Sequence, residues 1–526
     1  MIRLAPRFRL YRDRYRRFYY GLVTFSILTL IMYIYLVFNV TDPSEENFVS
    51  YSLQDLDSET QHTFYKGCAD INSYLNDQSY RKSNASFIML ARNEELSDIL
   101  TTLYSIESHF NQWYHYPYVF LNDEPFTEEF KEKVRQSVTG SVQFGTLNEL
   151  EWEFPVEVRE TMEFTERIKD QSDRGVLYGD VESYHKMCRF YSGLFYKHPM
   201  VRAYDWYWRI EPDVSFFCDI TYDPFFEMEK NGKEYGFTVV LQELYWSVPG
   251  LFRATRSYIN KNNIRLGSLW KLFAGTFDYA RTGDEYLHKT VFDEKLLKEK
   301  LEEKINIDHL LDKTQNGDVD LNDKGNLRGL NHLLNRAQSK VPIFEDKFDN
   351  EVFDLCHFWS NFEIAKRTVF DNPIYDGYFK HLESLGGFWK ERWGDAPVHS
   401  LGLALTLDIE QIHYFRDIGY KHSTLVHCPK NAPQEFQLPY FAGDDKFSNR
   451  NAKQYDPPFN LGSGCRCECP SIHLEIEDTS YPCMDFWLEL AHGMEENTNF
   501  GDGGYYPYVD LDQREEEMKE EYEFNS

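Results

Sequence analysis

Basic charge is scarce in this chain. Across 526 residues, 56 Lys and Arg stand against 86 Asp and Glu, giving a formal net charge of −30. Affinity for a phosphate backbone comes from Lys and Arg, so a nucleic-acid partner is excluded. The N-terminus lacks the marks of a cleavable signal peptide, an apolar core of about 7–15 residues followed by small residues at a cut site. Zinc-site spacing is missing too. Metal-binding cysteines are normally separated by about two to four residues, and the run Cys465-x-Cys467-x-Cys469 is tighter than that.

The N-terminus carries the one basic segment. Met1–Arg17 holds seven Arg and one Asp, and Phe18–Val40 then runs 23 residues without a charge. A bilayer core needs about 20 in helix. Arginines before this run and Asp42, Glu45 and Glu46 after it place the N-terminus in the cytosol. The expectation is a cytosolic tail (1–17), a single transmembrane signal anchor (18–40) and a lumenal remainder. Nine cysteines agree with an oxidising lumen, since five of them lie in a turn-rich C-terminal region where disulfides are expected. The odd total leaves at least one thiol free or paired with another chain. Sequons at Asn39 and Asn84 are expected to be poorly occupied, the first beside the membrane and the second just before a buried strand. Aromatics make up 17% of the chain, enough to supply stacking platforms for sugars or bases as well as core.

The stretch Tyr204-Asp-Trp-Tyr-Trp-Arg-Ile-Glu-Pro-Asp213 is the one around which the chain is organised. Its aromatic first half reads as a buried strand, which Pro212 then ends because proline donates no ladder hydrogen bond. Carboxylates at the carboxyl edge of an open α/β sheet suit a hard divalent cation that also takes phosphate oxygens. A charged strand end meeting solvent is the plainer alternative. Other strands are predicted at Ser86–Ala91, Tyr116–Asn122, Val142–Leu147 and Tyr235–Leu241. They alternate with helical segments at Glu94–His109 and Ser183–Pro199, the latter N-capped by Ser183. The alternation gives the fold class α/β, with a doubly wound sheet.

Residues 41–85 read as a stem, 86–429 as the catalytic domain with a surface insertion at 283–340, and 430–526 as a turn-rich Cys-containing region with an acidic tail. The insertion contains an amphipathic helix at Lys295–Leu311. Asp318-x-Asp320 in the insertion lacks an upstream apolar strand and fails the calcium-loop pattern, so it reads as a loop. Asp444-Asp445 and Asp510-x-Asp512 read as solvated turns.

Longer runs carry a resemblance. They are Tyr116–Phe126, Glu182–Arg189, Tyr204–Asp213, Cys356–Ile364, Arg392–Ser400 and Asp417–His422. With them the chain resembles the fungal Golgi GDP-mannose-dependent α-mannosyltransferases, glycosyltransferase family 15. The resemblance covers 86–429 in order. It departs at the insertion, at the longer C-terminal region, and at Pro249-Gly-Leu-Phe252.

That likeness implies a GT-A-like nucleotide-sugar fold, a mixed, mostly parallel sheet flanked by helices, with Mn²⁺ as cofactor. It implies transfer of mannose from GDP-mannose to a mannosylated glycoprotein with retention, an α-1,2 linkage being the family habit. It also implies a type II Golgi membrane protein. Glu211 and His422 match the family's metal ligands, Glu363 its proposed nucleophile and Tyr184 an active-site tyrosine. Glu243 is a second catalytic candidate beside the acceptor. Arg92, Asp123, Asp213 and Asp395 are expected on the donor side with Glu211. Asp395 and His399 are equally well read as buried hydrogen-bonding groups that fix a loop. Two rivals stand against this reading. One is a catalytically silent lumenal scaffold of the same fold, which the presence of Glu211, Glu363 and His422 opposes. The other is a glycoside hydrolase, which would need two carboxylates and neither nucleotide nor metal.

Overall fold

A computed structural model of the chain describes residues 63–64, 67–276, 294–315, 319–320, 322–338, 347–348, 351–428, 464–470, 476 and 482–491. The expected membrane anchor at 18–40, the Asp444-Asp445 and Asp510-x-Asp512 motifs and the acidic tail lie outside them. Among the described residues no helix is long and apolar enough to cross a membrane.

The strands in chain order are β1 (Ala85–Leu90), β2 (Tyr118–Asn122), β3 (Val142–Thr146), β4 (Trp206–Arg209), β5 (Val214–Phe216), β6 (Tyr235–Phe237) and β7 (Val240–Gln242). They continue with β8 (Ala274–Thr276), β9 (Lys347–Phe348), β10 (Glu351–Phe353), β11 (Cys356–Phe358), β12 (Glu363–Lys366), β13 (Ile412–Tyr414), β14 (Tyr420–His422) and β15 (Leu425–His427). The main sheet has seven strands in the order β13-β6-β12-β4-β1-β2-β3. β3, β2, β1 and β4 run parallel, and β13 runs parallel to β6. β12 enters antiparallel between β4 and β6. This is the mixed, mostly parallel α/β sheet that the family resemblance implies; the antiparallel β12 is what the doubly wound reading did not foresee.

Burial on both faces explains the apolar runs. Every residue of β2 and β4 is buried, and Phe87 stacks on Tyr118 at 4.7 Å while Trp208 packs against Phe87 and Phe362. After β4 the chain turns through Glu211-Pro212-Asp213. Asp213 takes the left-handed conformation at φ 58°, which Asp tolerates better than most residues. β5 then leaves the main sheet and joins β14 and β15 in a small antiparallel sheet. That departure opens the sheet edge at Glu211.

Three expectations shift. Tyr235–Leu241 is two strands, because β7 peels away to pair with β11 while β6 stays between β12 and β13. The helix predicted from Ser183 starts at Glu182, because the Val181 carbonyl already accepts the Tyr184 and His185 amides; Ser183 therefore lies in the first turn and caps nothing. The last part of the segment read as a short stem makes contacts that the sequence does not announce. The hydroxyls of Tyr74 and Tyr80 donate to Glu227 and Asp223, and Cys68 is disulfide-bonded to Cys465. The insertion does contain the expected helix, Glu294–Gln315, paired with Lys324–Gln338. Asp323 accepts the Asn326 amide at the start of the second helix, as a loop residue would.

Cysteines pair as Cys68–Cys465, Cys218–Cys467, Cys356–Cys483 and Cys428–Cys469, leaving the buried Cys188 thiol free. The tight C-terminal cluster is thus a set of staples, not a metal centre. The Asn84 side-chain amide donates to the Ala203 carbonyl and to Asp205.

Candidate active site at the β4 edge

Glu211 lies two residues past the end of β4, with its two oxygens facing different partners. Oε1 accepts from Arg209 Nε at 3.1 Å and Nη2 at 2.5 Å. Oε2 lies 3.7 Å from His422 Nε2. His422 is delivered by β14, directly opposite Val214. Its Nδ1 lies 3.0 Å from the Asn361 side-chain amide nitrogen, and its ring meets Trp359 edge-on at 5.4 Å. Both ligand candidates keep about a quarter of their side chain exposed.

Beneath this pair lies a buried charged layer. Side chains two apart on a strand share a face, and directly opposed residues share it too. Tyr207 and Arg209 of β4, Glu363 of β12 and Tyr235 of β6 are therefore on one side. Helix α1 (Asp395–Leu403) lies against them. Its i,i+4 pair reaches down: Asp395 Oδ2 accepts from Arg209 Nη1 at 2.5 Å and from the Ser360 hydroxyl at 2.8 Å. His399 Nδ1 lies 3.1 Å from Glu363 Oε2. Arg209 also sits 3.5 Å over the Tyr191 ring. Burial pulls the Asp395 carboxyl up, but Arg209 together with His399 and Ser360 more than offsets it and holds Asp395 below the usual carboxylate range. Arg209 is in turn held firmly protonated by its two acids despite its burial.

Glu363 is fully buried. Tyr207 donates to its Oε1 at 2.8 Å, and Tyr235 donates to Oε2 at 3.1 Å. With His399 on Oε2 as well, neither oxygen stands open. Asp395 and His399 thus make buried hydrogen bonds that tie α1 to the sheet.

On the far side of the turn leading into α1, Arg392 joins Glu243 and Tyr184. Its Nη2 is 3.2 Å from Glu243 Oε1, and Nη1 is 3.4 Å from the Tyr184 hydroxyl. Tyr184 stacks on Tyr178 at 4.8 Å. Burial raises the Tyr184 phenol well above its ordinary pKa, so it stays protonated. A Cβ at Gly394 would sit 3.7 Å from Glu243 Oε2 and 3.7 Å from Arg392 Nη1, so this group closes on the residue immediately before Asp395. Arg92, Asp123 and Asp213 are not drawn into these contacts. Arg92 follows the carboxyl end of β1 and pairs with Glu95 at 2.8 Å, while Asp123 and Asp213 are exposed at the ends of β2 and of the Glu211 turn.

The pair Glu211–His422 fits a divalent cation. Protein ligands lie roughly 2.0–2.6 Å from such ions, so two donors 3.7 Å apart can flank one. One oxygen and one nitrogen leave most positions to other ligands. Among the described residues, the only grouping of three potential ligands is Cys218, Cys428 and Cys469, and those sulfurs are already in disulfides.

Sequence reasoning passed over Arg209, Asn361, Tyr207, Tyr235 and Arg392. Arg209 carried a signal, since it lies two residues before Glu211 in the same extended stretch, a spacing that shares a face. Asn361 had none, because its partner is 61 residues away.

The family profile described as Glycolipid 2-alpha-mannosyltransferase matches residues 44–281 and 324–438, skipping much of the predicted insertion. A probable mannosyltransferase of Saccharomyces cerevisiae, KTR7, is 50% identical over 529 residues, covering 99% of each chain. Of solved structures, the S. cerevisiae mannosyltransferase Ktr4p in complex with GDP is 26% identical with a TM-score of 0.55, over 88% of this chain and 98% of that one. Core-mannan synthase A of Aspergillus fumigatus, in a Mn/GDP form, is 32% identical with a TM-score of 0.50, over 69% and 79%. With more than half its length matched by the profile and near-complete alignment to a relative, this chain belongs to glycosyltransferase family 15.

Proposed function

We propose that this protein is a GDP-mannose-dependent mannosyltransferase, with Glu211 and His422 as the protein ligands of Mn²⁺. The observation that carries the reading is the 3.7 Å approach of Glu211 Oε2 to His422 Nε2, brought from separate sheets to one edge. Relatives named as mannosyltransferases, and solved relatives titled with GDP and Mn, support it. A mixed oxygen and nitrogen donor set suits Mn²⁺ better than Mg²⁺, which favours all-oxygen shells.

When bound, the cation supplies Lewis-acid stabilisation of the negative charge that gathers on the departing diphosphate. The chain's residues prepare that moment. Arg209 fixes Glu211 through Oε1 and so aims Oε2 outward. Asn361 and Trp359 fix the His422 ring. Arg92, Asp123 and Asp213 lie at strand ends where a nucleotide binds an open sheet. On the acceptor side, Glu243 and Tyr184 share Arg392 and orient the attacking hydroxyl.

Retention of configuration is part of the proposal, and it places a condition on Glu363. As a nucleophile toward the mannose ring, its Oε2 attacks only after Tyr235 and His399 release it. Front-side attack needs no such release. The α-1,2 linkage, the mannosylated glycoprotein acceptor and a type II Golgi orientation anchored by 18–40 complete the reading.

Incubating the full chain with GDP-mannose and mannoside acceptors, with Mn²⁺ or with EDTA, tests it. Transfer with Mn²⁺, lost in EDTA and in a folded Glu211→Ala, is expected. A folded Glu211→Ala that transfers at the wild-type rate would refute the assignment.

A further inference from the structure

Next to the acceptor-side acid, the chain displays a large aromatic surface that the transfer reaction leaves unused. Trp246 is 72% exposed and Leu244 is 55% exposed. Indoles are seldom left so open, because they bury so much apolar area when covered. The segment that carries them is held at both ends. Glu243 donates its amide to the Leu355 carbonyl at 2.7 Å, and the Ser247 carbonyl accepts from the Arg392 amide at 3.1 Å. Gly250 N–H donates to Glu391 Oε2 at 3.0 Å. Tyr245 supports the Trp246 ring edge-on at 5.1 Å. The indole is therefore presented in one place, with little ordering left to be done on binding.

Its position gives the occupant. Glu243, three residues before Trp246, bonds Arg392, which bonds Tyr184. On the other side of Gly394, Asp395 bonds Arg209, which bonds Glu211. The aromatic surface thus adjoins the Glu243–Arg392–Tyr184 group, and Gly394 stands between that group and the Asp395–Arg209–Glu211 line. An acceptor mannoside whose reactive hydroxyl lies at Glu243 brings its next sugar within reach of this surface. A pyranose offers a flat C–H face to an aromatic ring and hydroxyls to the polar groups around it.

We propose that Trp246, flanked by Leu244, is a second acceptor subsite that stacks the sugar preceding the accepting mannose, so that the enzyme prefers oligosaccharide over single-mannose acceptors. This rests on the mannosyltransferase reading. The test uses the full chain, Mn²⁺ and GDP-mannose, with methyl α-mannoside and α-linked mannotriose as alternative acceptors. The kcat/KM ratio of trisaccharide to monosaccharide is expected to fall about tenfold in Trp246→Ala, the scale of one aromatic contact, and to be largely kept in Trp246→Phe. Because a ratio is read, a general loss of folded enzyme cancels. An unchanged ratio in Trp246→Ala overturns the proposal. So does an unchanged ratio accompanied by weaker transfer to a mannosylated polypeptide, which would assign the surface to peptide. Wild-type enzyme that transfers to neither sugar overturns the underlying activity instead, before any variant is made.

Discussion

Replacing Arg209 by Met would strand a charge. The guanidinium holds Glu211 through two nitrogens and Asp395 through a third, and it is nearly inaccessible to water. The two acids respond differently to its loss. Glu211 keeps about a quarter of its surface exposed, so water replaces much of what it loses. Asp395 is only 8% exposed and would keep one donor, the Ser360 hydroxyl. Removing one partner of a buried ion pair costs about 3–5 kcal/mol, mostly because the other charge stays buried and uncompensated. Arg209→Met is therefore expected to lose about 3–5 kcal/mol in urea unfolding followed by tryptophan fluorescence. Asp395→Asn in the same background removes the stranded charge and should recover about 2 kcal/mol or more, a strongly non-additive cycle. If Arg209→Met costs under about 1 kcal/mol, or the two changes simply add, the buried layer is not held by charge pairing and the reasoning fails.

Three further outcomes rest on the same contacts or their neighbours. Glu363→Gln should abolish trapping of a glycosyl-enzyme at that position if Glu363 attacks; transfer that continues at near wild-type rate in this variant favours front-side attack. Burial raises the Asp417 carboxyl from 3.8 to about 6 while Tyr222 donates to it. The folded protein thus holds that proton longer than the unfolded chain, so the favourable contribution is full at low pH and is lost as pH rises through about 6. Between about pH 4 and pH 7, wild type should lose about 3 kcal/mol relative to Asp417→Asn; parallel stability curves would contradict it. The Cys428→Ser/Cys469→Ser pair opens a link across 41 positions, worth up to about 4 kcal/mol by loop-closure entropy. Since that link follows β15, which pairs with the His422 strand, Mn²⁺ affinity should weaken in the folded variant; unchanged affinity would show that the strand holds its place unaided.

Much of the frame was legible because it rests on local patterning. Buried parallel strands announce themselves as aromatic and aliphatic runs, and Pro212 marks where β4 must stop. What escaped was set by long-range pairing. Nothing near Tyr235 tells that the strand will split to serve two sheets, and nothing near Cys68 tells that the supposed stem is stapled to Cys465. Glu363 could be singled out only by resemblance. That it would be enclosed by Tyr207, Tyr235 and His399 depends on three segments meeting. Asp395 and His399 sit one helical turn apart, and that spacing could have been read as a shared face toward the sheet.

The alternating thiols at 465, 467 and 469 carry a lesson for biogenesis. Their partners, Cys68, Cys218 and Cys428, are all synthesised earlier, so three half-bonds must wait on one short segment made later. Neighbouring members of that segment differ by only two positions, which makes a one-step mismatch an obvious error for an oxidising machinery to correct. A nascent chain released just after position 429 would contain every assigned metal and sugar contact, yet leave four cysteines, Cys68, Cys218, Cys356 and Cys428, without their proper mates. Completion of the catalytic edge is thereby tied to arrival of residues made well after it.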